Sequence, residues 1–341
     1  MTSQDYSVAI GQYSKGDDLG FKTAHFNTPH DLTISSAITN AFNPSYLLYT
    51  EQGHYLVSEC SQQEGSALIF VPTNSEDHQV RLLDGDYPCH LAISPNKELL
   101  GVAHYGTGNF EIFALRAHGI IGERIALLAN EGSSVHPTRQ QTPHGHQLQF
   151  IPCSQQFVTV DLGIDTLSFY EYNETDVVLS QSLLMPQGSG PRHVDFSQDG
   201  KFGYVLCELD ESLNVIKRNN QGKWQLIYST SAFPEHISHE AAAAVKLSPN
   251  NHFVYLTGRG ESIVSWFELS DPEVPLYQGF VSSGGEFPRD LCLSPDGKYL
   301  MTANQHSDNL ALFTVDEVTG TPTLESLSDS ITAPVCLVIY Y

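Results

Sequence analysis

Residues 288–313 read PRDLCLSPDGKYLMTANQHSDNLALF. Three short apolar runs, LCL, YLMTA and NLALF, are separated by SPDG and by HSD. Runs of this length, bounded by turn-forming residues, predict three consecutive strands joined by tight turns. Helical periodicity is nearly absent from the chain, so the question is whether the unit repeats.

It does. Aligned on a Pro-like position followed by two variable residues and an apolar strand, the chain shows PSYLLYT from Pro44, PCHLAISP from Pro88, GHQLQFIP from Gly145 and PRHVDFSQ from Pro191. AAAVKLSP from Ala242, PRDLCLSP from Pro288 and PVCLVIY from Pro334 complete the column. Successive starts differ by 44, 57, 46, 51, 46 and 46 residues, a period in the range of propeller blades. A second strand follows each start (YLVSEC, LLGVAHYG, FVTVDLG, FGYVLCEL, FVYLTGRG, YLMTANQH), then a third (SALIF, GNFEIF, DTLSFY, SLNVI, SIVSWF, DNLALF). Weaker fourth strands, such as RIALLAN and WQLIYST, complete most units.

The seventh unit stops after its first strand. Its missing strands stand at the other end of the chain: YSVAIGQYS, KTAHF and LTISSAI fit the second, third and fourth positions. The expected fold is an all-β, seven-bladed β-propeller, its last blade closed by one C-terminal and three N-terminal strands. Such closure leaves no free edge in the ring. It makes residues 1–341 a single domain.

Thirty-nine acidic residues against 16 Lys and Arg give a net charge of −23, which makes nucleic acid and anionic membrane poor partners. No run of about 18 apolar residues predicts a membrane span. The start MTSQDYSVAI has no basic region followed by an apolar run, so a cytoplasmic protein is expected. The six cysteines are scattered beside apolar runs without a C-x-x-C pair, which reads as buried, reduced thiols. An anionic ligand would need a local positive site, and with only eight arginines in the chain their positions carry information.

In a propeller the first strands line the central channel, so residues of equal phase form rings. The ring after the Pro-like position reads Ser45, Cys89, His146, Arg192, Ala243, Arg289 and Val335, and the next reads Tyr46, His90, Gln147, His193, Ala244, Asp290 and Cys336. His146, Arg192 and Arg289 converging on one axis would make an anion site. Each could instead be a strand-end residue with a local partner. The ends of the second strands give Gln12, Glu59, Tyr105, Leu162, Glu208, Arg259 and Gln305. Glu208 closes an apolar strand and is either paired with an arginine or poised as a base.

The stretch HPTRQQTPHGHQLQF (136–150) falls in the longest interval of the repeat. Extra loop on a rigid scaffold is where function concentrates. His144 and His146 are two apart, but no further ligand set completes a metal site. The pair reads as an acid–base histidine, with His144, His136 and Arg139 on the loop beside it. No phosphate loop, nucleophile elbow, dinucleotide fingerprint or EF-hand pattern is present, and no cofactor is expected.

RQQTPHGHQLQFIP…VTVDLGIDTLSFY, GSGPRHVDFSQDGKFGYVLCEL and GGEFPRDLCLSPDGKYLMTANQHSDNLALF resemble the signature segments of the seven-bladed propeller lactonase family over nearly the whole chain. The family's characterised activities include 6-phosphogluconolactonase and, in fungi, carboxy-cis,cis-muconate cyclase. The resemblance implies hydrolysis of a small anionic sugar lactone by a histidine, two arginines and a glutamate. By motif the arginines fall on Arg192 and Arg289 and the glutamate on Glu208. The histidine falls in PHGH, on His146 by ring phase with His144 second. His193, Arg139 and His90 are expected to support substrate binding. The chain departs from the family where asparagines often precede the glutamate and the YG turn: here they are Cys207 and His104. The usual SNRG appears as TGRG, Thr257 to Gly260. Three other readings stand beside this one: a calcium-dependent propeller lactonase, a non-enzymatic propeller that binds a protein or metabolite, and a cyclase or lactonase acting on another anionic lactone. Oligomeric state is silent.

Overall fold

Four of the repeats close their first hairpin in the same way. The hydroxyls of Ser94, Ser197, Ser248 and Ser294 donate to the side-chain oxygens of Asn96, Asp199, Asn250 and Asp296 at 2.6–2.7 Å. Each serine oxygen also accepts the amide of the residue five positions on (Leu99, Phe202, Phe253 and Tyr299) at 2.9–3.0 Å. The residue after the Asn or Asp is left-handed: Lys97, Gly200, Asn251 and Gly297 have φ between 57° and 74°. Glycine and asparagine enter that region most cheaply, and three of the four turns carry D-G or N-N there, the fourth carrying Asn96-Lys97.

The structure is a computed structural model and describes residues 5–26, 32–35, 38–75, 77–173, 176–234 and 237–341. Its strands form seven four-stranded antiparallel sheets, the seven expected blades. Blade 1 holds Leu47–Thr50, Gly53–Ser58, Ala67–Pro72 and Gln79–Leu82. Blade 2 holds Pro88–Ile93, Leu99–His104, Asn109–Leu115 and Ile121–Ala129. Blade 3 holds Gly145–Phe150, Gln156–Asp161, Thr166–Tyr172 and Val177–Leu184. Blade 4 holds Pro191–Phe196, Phe202–Cys207, Ser212–Arg218 and Trp224–Ser231. Blade 5 runs from Ala242–Leu247 through Phe253–Gly258 and Ile263–Glu268 to Leu276–Ser282, and blade 6 from Pro288–Leu293 through Tyr299–Asn304 and Asn309–Val315 to Pro322–Leu327. Blade 7 joins the C-terminal strand Pro334–Tyr340 to Tyr6–Gln12, Lys22–Phe26 and Thr33–Ile34. That is the closure expected from the sequence. Of the expected fourth strand LTISSAI only Thr33–Ile34 forms, and Ser36 and Ala37 lie outside the described residues.

The chain divides into two compact units: Met1–Leu47 with Ser231–Tyr341, and Leu48–Thr230. The first contains blades 5 to 7, the second blades 2 and 3 and nearly all of blades 1 and 4. Within each unit neighbouring sheets pack apolar faces together. Phe110 and Ile112 of blade 2 meet Leu148, Phe150 and Phe157 of blade 3. Val158 and Phe169 of blade 3 meet Val194, Val205 and Trp224 of blade 4. Blade 5 meets blade 6 through Tyr255, Trp266, Leu300 and Phe313, and blade 6 meets blade 7 through Met301, Leu312, Ile10 and Ile339. Second strands such as Phe253–Gly258 are buried at every position, so they are apolar without alternation. Outer strands such as Trp224–Ser231 alternate, because one face meets water. Gly101 has a close-approach role: a Cβ there would sit 2.6 Å from the Leu148 side chain of the next blade.

Two features of the repeat place side chains. First, pairing of the first with the second strand skips the residue after the Pro-like position. Pro88 and His90 face His104 and Ala103, leaving out Cys89. The same skip leaves out His146, Arg192, Arg289 and Val335 in blades 3, 4, 6 and 7. Bulges of this kind re-aim the extra side chain. Second, the residue after six of the second strands donates its amide to a carbonyl just before the first. Tyr13, Tyr105, Leu162, Glu208, Arg259 and Gln305 bond Ala333, Tyr87, His144, Gly190, Ala241 and Phe287 at 2.7–3.1 Å. This clasp corrects one register. Gln12 pairs with Pro334 as Cys207 pairs with Pro191, so Tyr13, not Gln12, is the counterpart of Glu208.

All six cysteines are free. Five are buried as expected. Cys153 is exposed, because it occupies a left-handed turn position (φ 56°) between strands rather than the apolar run beside it.

Candidate active site

Blades 2 to 4 assemble a polar cluster from the bulge and clasp positions. Glu208, 3% exposed, accepts Nη2 of Arg139 at 2.6 Å on one oxygen and faces Nε of Arg192 at 3.1 Å with the other. Arg192 is 2% exposed and Arg139 one-third exposed. The sequence alternatives for Glu208 resolve toward pairing. Two guanidinium groups within hydrogen-bond reach favour the carboxylate anion. Burial opposes the charge on Arg139, but the Glu208 carboxylate outweighs it and holds the guanidinium pKa above its ordinary value.

A row of rings lies beside this clamp. The His144 ring stacks on Tyr105 at 4.5 Å, and His146 meets Tyr105 edge-on at 5.6 Å. His146 meets His193 at 5.2 Å, and His193 meets His90 at 5.5 Å, both near perpendicular. Arg192 Nη1 comes within 3.4 Å of the His193 ring nitrogens. The Tyr105 hydroxyl accepts from Arg139 at 3.2 Å, so Tyr105 links the clamp to the row. The side chain of Gln147 spans blades 3 and 4, accepting the Val194 amide at 2.6 Å and donating to its carbonyl at 3.2 Å. That bridge fixes the first strands of the two blades side by side and brings His146 and His193 together.

The long loop before His146 is built, not slack. Gln140, fully buried, donates to the Leu162 carbonyl at 2.8 Å, and its oxygen accepts the His136 amide at 3.1 Å. The His144 amide donates to Asp161 at 2.8 Å, and Nδ1 of His144 contacts the Tyr105 carbonyl oxygen at 2.8 Å. Burial pushes the Asp161 carboxyl up against the three hydrogen bonds it accepts from Asn130, His144 and Gly163. Of the two histidines, His146 is the more buried and touches His193, while His144 is fixed at both its backbone and its ring.

His90, Arg139, His144, His146, Arg192, His193 and Glu208 thus gather in one unit. Arg289 belongs to the other. There its Nη2 donates to the Tyr13 hydroxyl at 2.9 Å, and its guanidinium lies 5.3 Å from the Tyr13 ring centre. Arg259 is structural: it bonds the carbonyls of Ala241 and Ala242 and covers the Phe287 ring. Tyr105 was visible in the sequence only as a ring member; its contacts with Arg139, His144 and His146 give it a place in the site. His104, at one departure from the family pattern, is fully buried 3.1 Å from Glu111, which also binds Arg124 at 2.8 Å. It is packed against Glu111 within blade 2. Among the described residues no group of three His, Cys, Asp or Glu side chains is placed to hold a metal ion, and no helix is long and apolar enough to cross a membrane.

Residues 7–339 match the family described as "Lactonase, 7-bladed beta-propeller", and the chain belongs to that family. Its class is therefore that of the propeller lactonases, carboxylic ester hydrolases by name. Among individual relatives, the chain is 29% identical over 343 aligned residues to 6-phosphogluconolactonase of Bacillus subtilis, covering 97% of each chain. Of solved structures, it is similar to a putative 6-phosphogluconolactonase of Bacteroides uniformis, with a TM-score of 0.88 and 26% identity over 98% of this chain and 99% of that one. It also shares its fold with a periplasmic gluconolactonase of Pseudomonas aeruginosa, with a TM-score of 0.87 and 24% identity over 99% of each chain.

Proposed function

We propose that the chain hydrolyses a sugar-acid lactone, 6-phosphogluconolactone in the first instance, to the open acid in the pentose phosphate pathway. The observation that carries this reading is the Arg139–Glu208–Arg192 clamp beside the His146 ring. Hydrolysis adds water across the ester C–O bond: a proton leaves the attacking water, negative charge collects on the carbonyl oxygen, and the ring oxygen departs as a hydroxyl. His146 takes the proton from water and returns it to the departing oxygen, help worth roughly 100- to 10,000-fold. Arg192 stabilises the oxyanion, and Arg139, the more exposed cation, meets the substrate's own anionic group. Glu208 holds both arginines in place. The chemistry needs no metal in this scheme, and two buried or half-buried arginines beside the reacting carbonyl would repel a divalent cation. The reading treats the chain as one catalytic domain, and its six free cysteines fit a reducing cytoplasm.

The test is hydrolysis of 6-phosphogluconolactone and of gluconolactone at controlled pH, for wild type, Arg192→Ala and His146→Gln. Wild type is expected to exceed the spontaneous rate and both variants to lose most of that excess. A folded wild-type protein that hydrolyses neither lactone refutes the proposal and leaves a non-catalytic binding role.

A further inference from the structure

Asp165 is a buried carboxylate that the proposed chemistry does not use. It lies in the turn between the second and third strands of blade 3, 3% exposed, with left-handed backbone (φ 50°). Its hydrogen bonds all leave blade 3's own hairpin. One oxygen accepts Nε2 of Gln140 and the amide of Gly190, both at 2.7 Å, with the Ser189 hydroxyl at 3.5 Å. The other accepts the Ser134 hydroxyl at 2.5 Å and the Gly188 amide at 2.7 Å. The carbonyl of Asp165 takes the Met185 amide at 2.8 Å.

These partners belong to two loops. Gln140 and Ser134 lie on the long loop, next to Arg139. Gly188 to Gly190 enter blade 4 immediately before Pro191 and Arg192, and the Gly190 carbonyl accepts the Glu208 amide at 2.7 Å. One side chain therefore reaches Arg139 through Gln140, and Arg192 and Glu208 through Gly190. A neutral turn residue could close the hairpin. Each carboxylate oxygen takes a donor from the long loop and another from the Gly188–Gly190 segment, so one side chain ties the two loops together twice.

We propose that Asp165 is the positioning residue of the clamp: it sets the spacing of Arg139 against Arg192 by fixing both loops to one carboxylate. Asparagine at 165 keeps the shape but offers one acceptor oxygen, so each loop loses one of its anchors to this side chain. Displacement of a substrate-holding group by about 1 Å costs up to about 100-fold in rate.

The proposal rests on the lactonase reading only for its choice of substrate. The experiment compares wild type, Asp165→Asn, Gln140→Leu and the double variant. It measures lactone hydrolysis, calorimetric binding of inorganic phosphate and thermal melting. Asp165→Asn and Gln140→Leu are each expected to lower kcat/KM about 10-fold or more and to weaken phosphate binding. The double variant is expected to be no worse than the poorer single variant, because both cut the same strut. Melting temperatures close to wild type for Gln140→Leu separate positioning from folding. If wild type hydrolyses no lactone, the lactonase reading falls and the phosphate arm alone decides on Asp165. Folded single variants with wild-type kinetics and phosphate binding overturn the proposal. So do strictly additive losses, and so does a wild-type protein that neither hydrolyses lactone nor binds phosphate.

Discussion

Replacing Glu208 by glutamine separates charge from shape at the centre of the site. In the native protein one carboxylate, 3% exposed, meets Arg139 at 2.6 Å and Arg192 at 3.1 Å. Removing one partner of a buried pair costs about 3–5 kcal/mol. Glutamine keeps one acceptor oxygen and Arg139 is partly solvated, so the expected loss is about 2–3 kcal/mol. At about 2.1 cal/mol/K per residue, 341 residues give an unfolding entropy near 0.7 kcal/mol/K, so the melting temperature is expected to fall by about 3–4 °C. Anion binding is expected to move the other way. Two guanidinium groups freed of their counter-ion bind inorganic phosphate about 10-fold more tightly, a gain of about 1.4 kcal/mol. Lactone turnover is expected to fall. A loss near 10-fold marks Glu208 as a holder of the arginines, and a loss above about 1,000-fold marks it as the base. The assays are thermal melting with and without phosphate, calorimetric titration, and hydrolysis followed at constant pH. A variant that melts as wild type does and binds phosphate no more tightly refutes the clamp.

Three further outcomes are expected. Arg139→Ala raises KM for 6-phosphogluconolactone about 10-fold more than for gluconolactone, because only the first carries a phosphate; equal changes would place Arg139 away from that group. Arg289→Ala, assigned to the site by the family resemblance, lowers kcat/KM about 10-fold or more while leaving the protein folded; unchanged kinetics remove it from the catalytic set. The third concerns His54, on the second strand of blade 1, whose pKa burial pushes down to about 4. Between the unfolded value near 6.5 and about 4 the unfolded chain binds a proton that the folded chain does not, so stability falls as pH falls through that window, by about 3 kcal/mol in all. His54→Gln removes this acid sensitivity; equal slopes of melting temperature against pH for both proteins would contradict it.

The division between sequence and tertiary structure follows from what each level of physics is local to. The blade count, the hairpin turns and the closure at Pro334–Tyr340 and Tyr6–Gln12 were legible, because strand patterning and Ser-Pro-Asp/Asn turns are properties of a few consecutive residues. The positions of His146 and Arg192 in the repeat were legible because a repeat puts equal phase at equal depth. Phase slipped by one residue at the N-terminal strand, where Gln12 stood in the reading for Tyr13. It also could not foresee that Cys153 sits on an exposed turn. Partnerships were beyond the sequence altogether. Glu208 meets Arg139 across 69 positions, and Asp165 gathers donors from residues 134 to 190. A hydrogen bond between residues that far apart depends on how the blades stack, and the composition of neither partner records it.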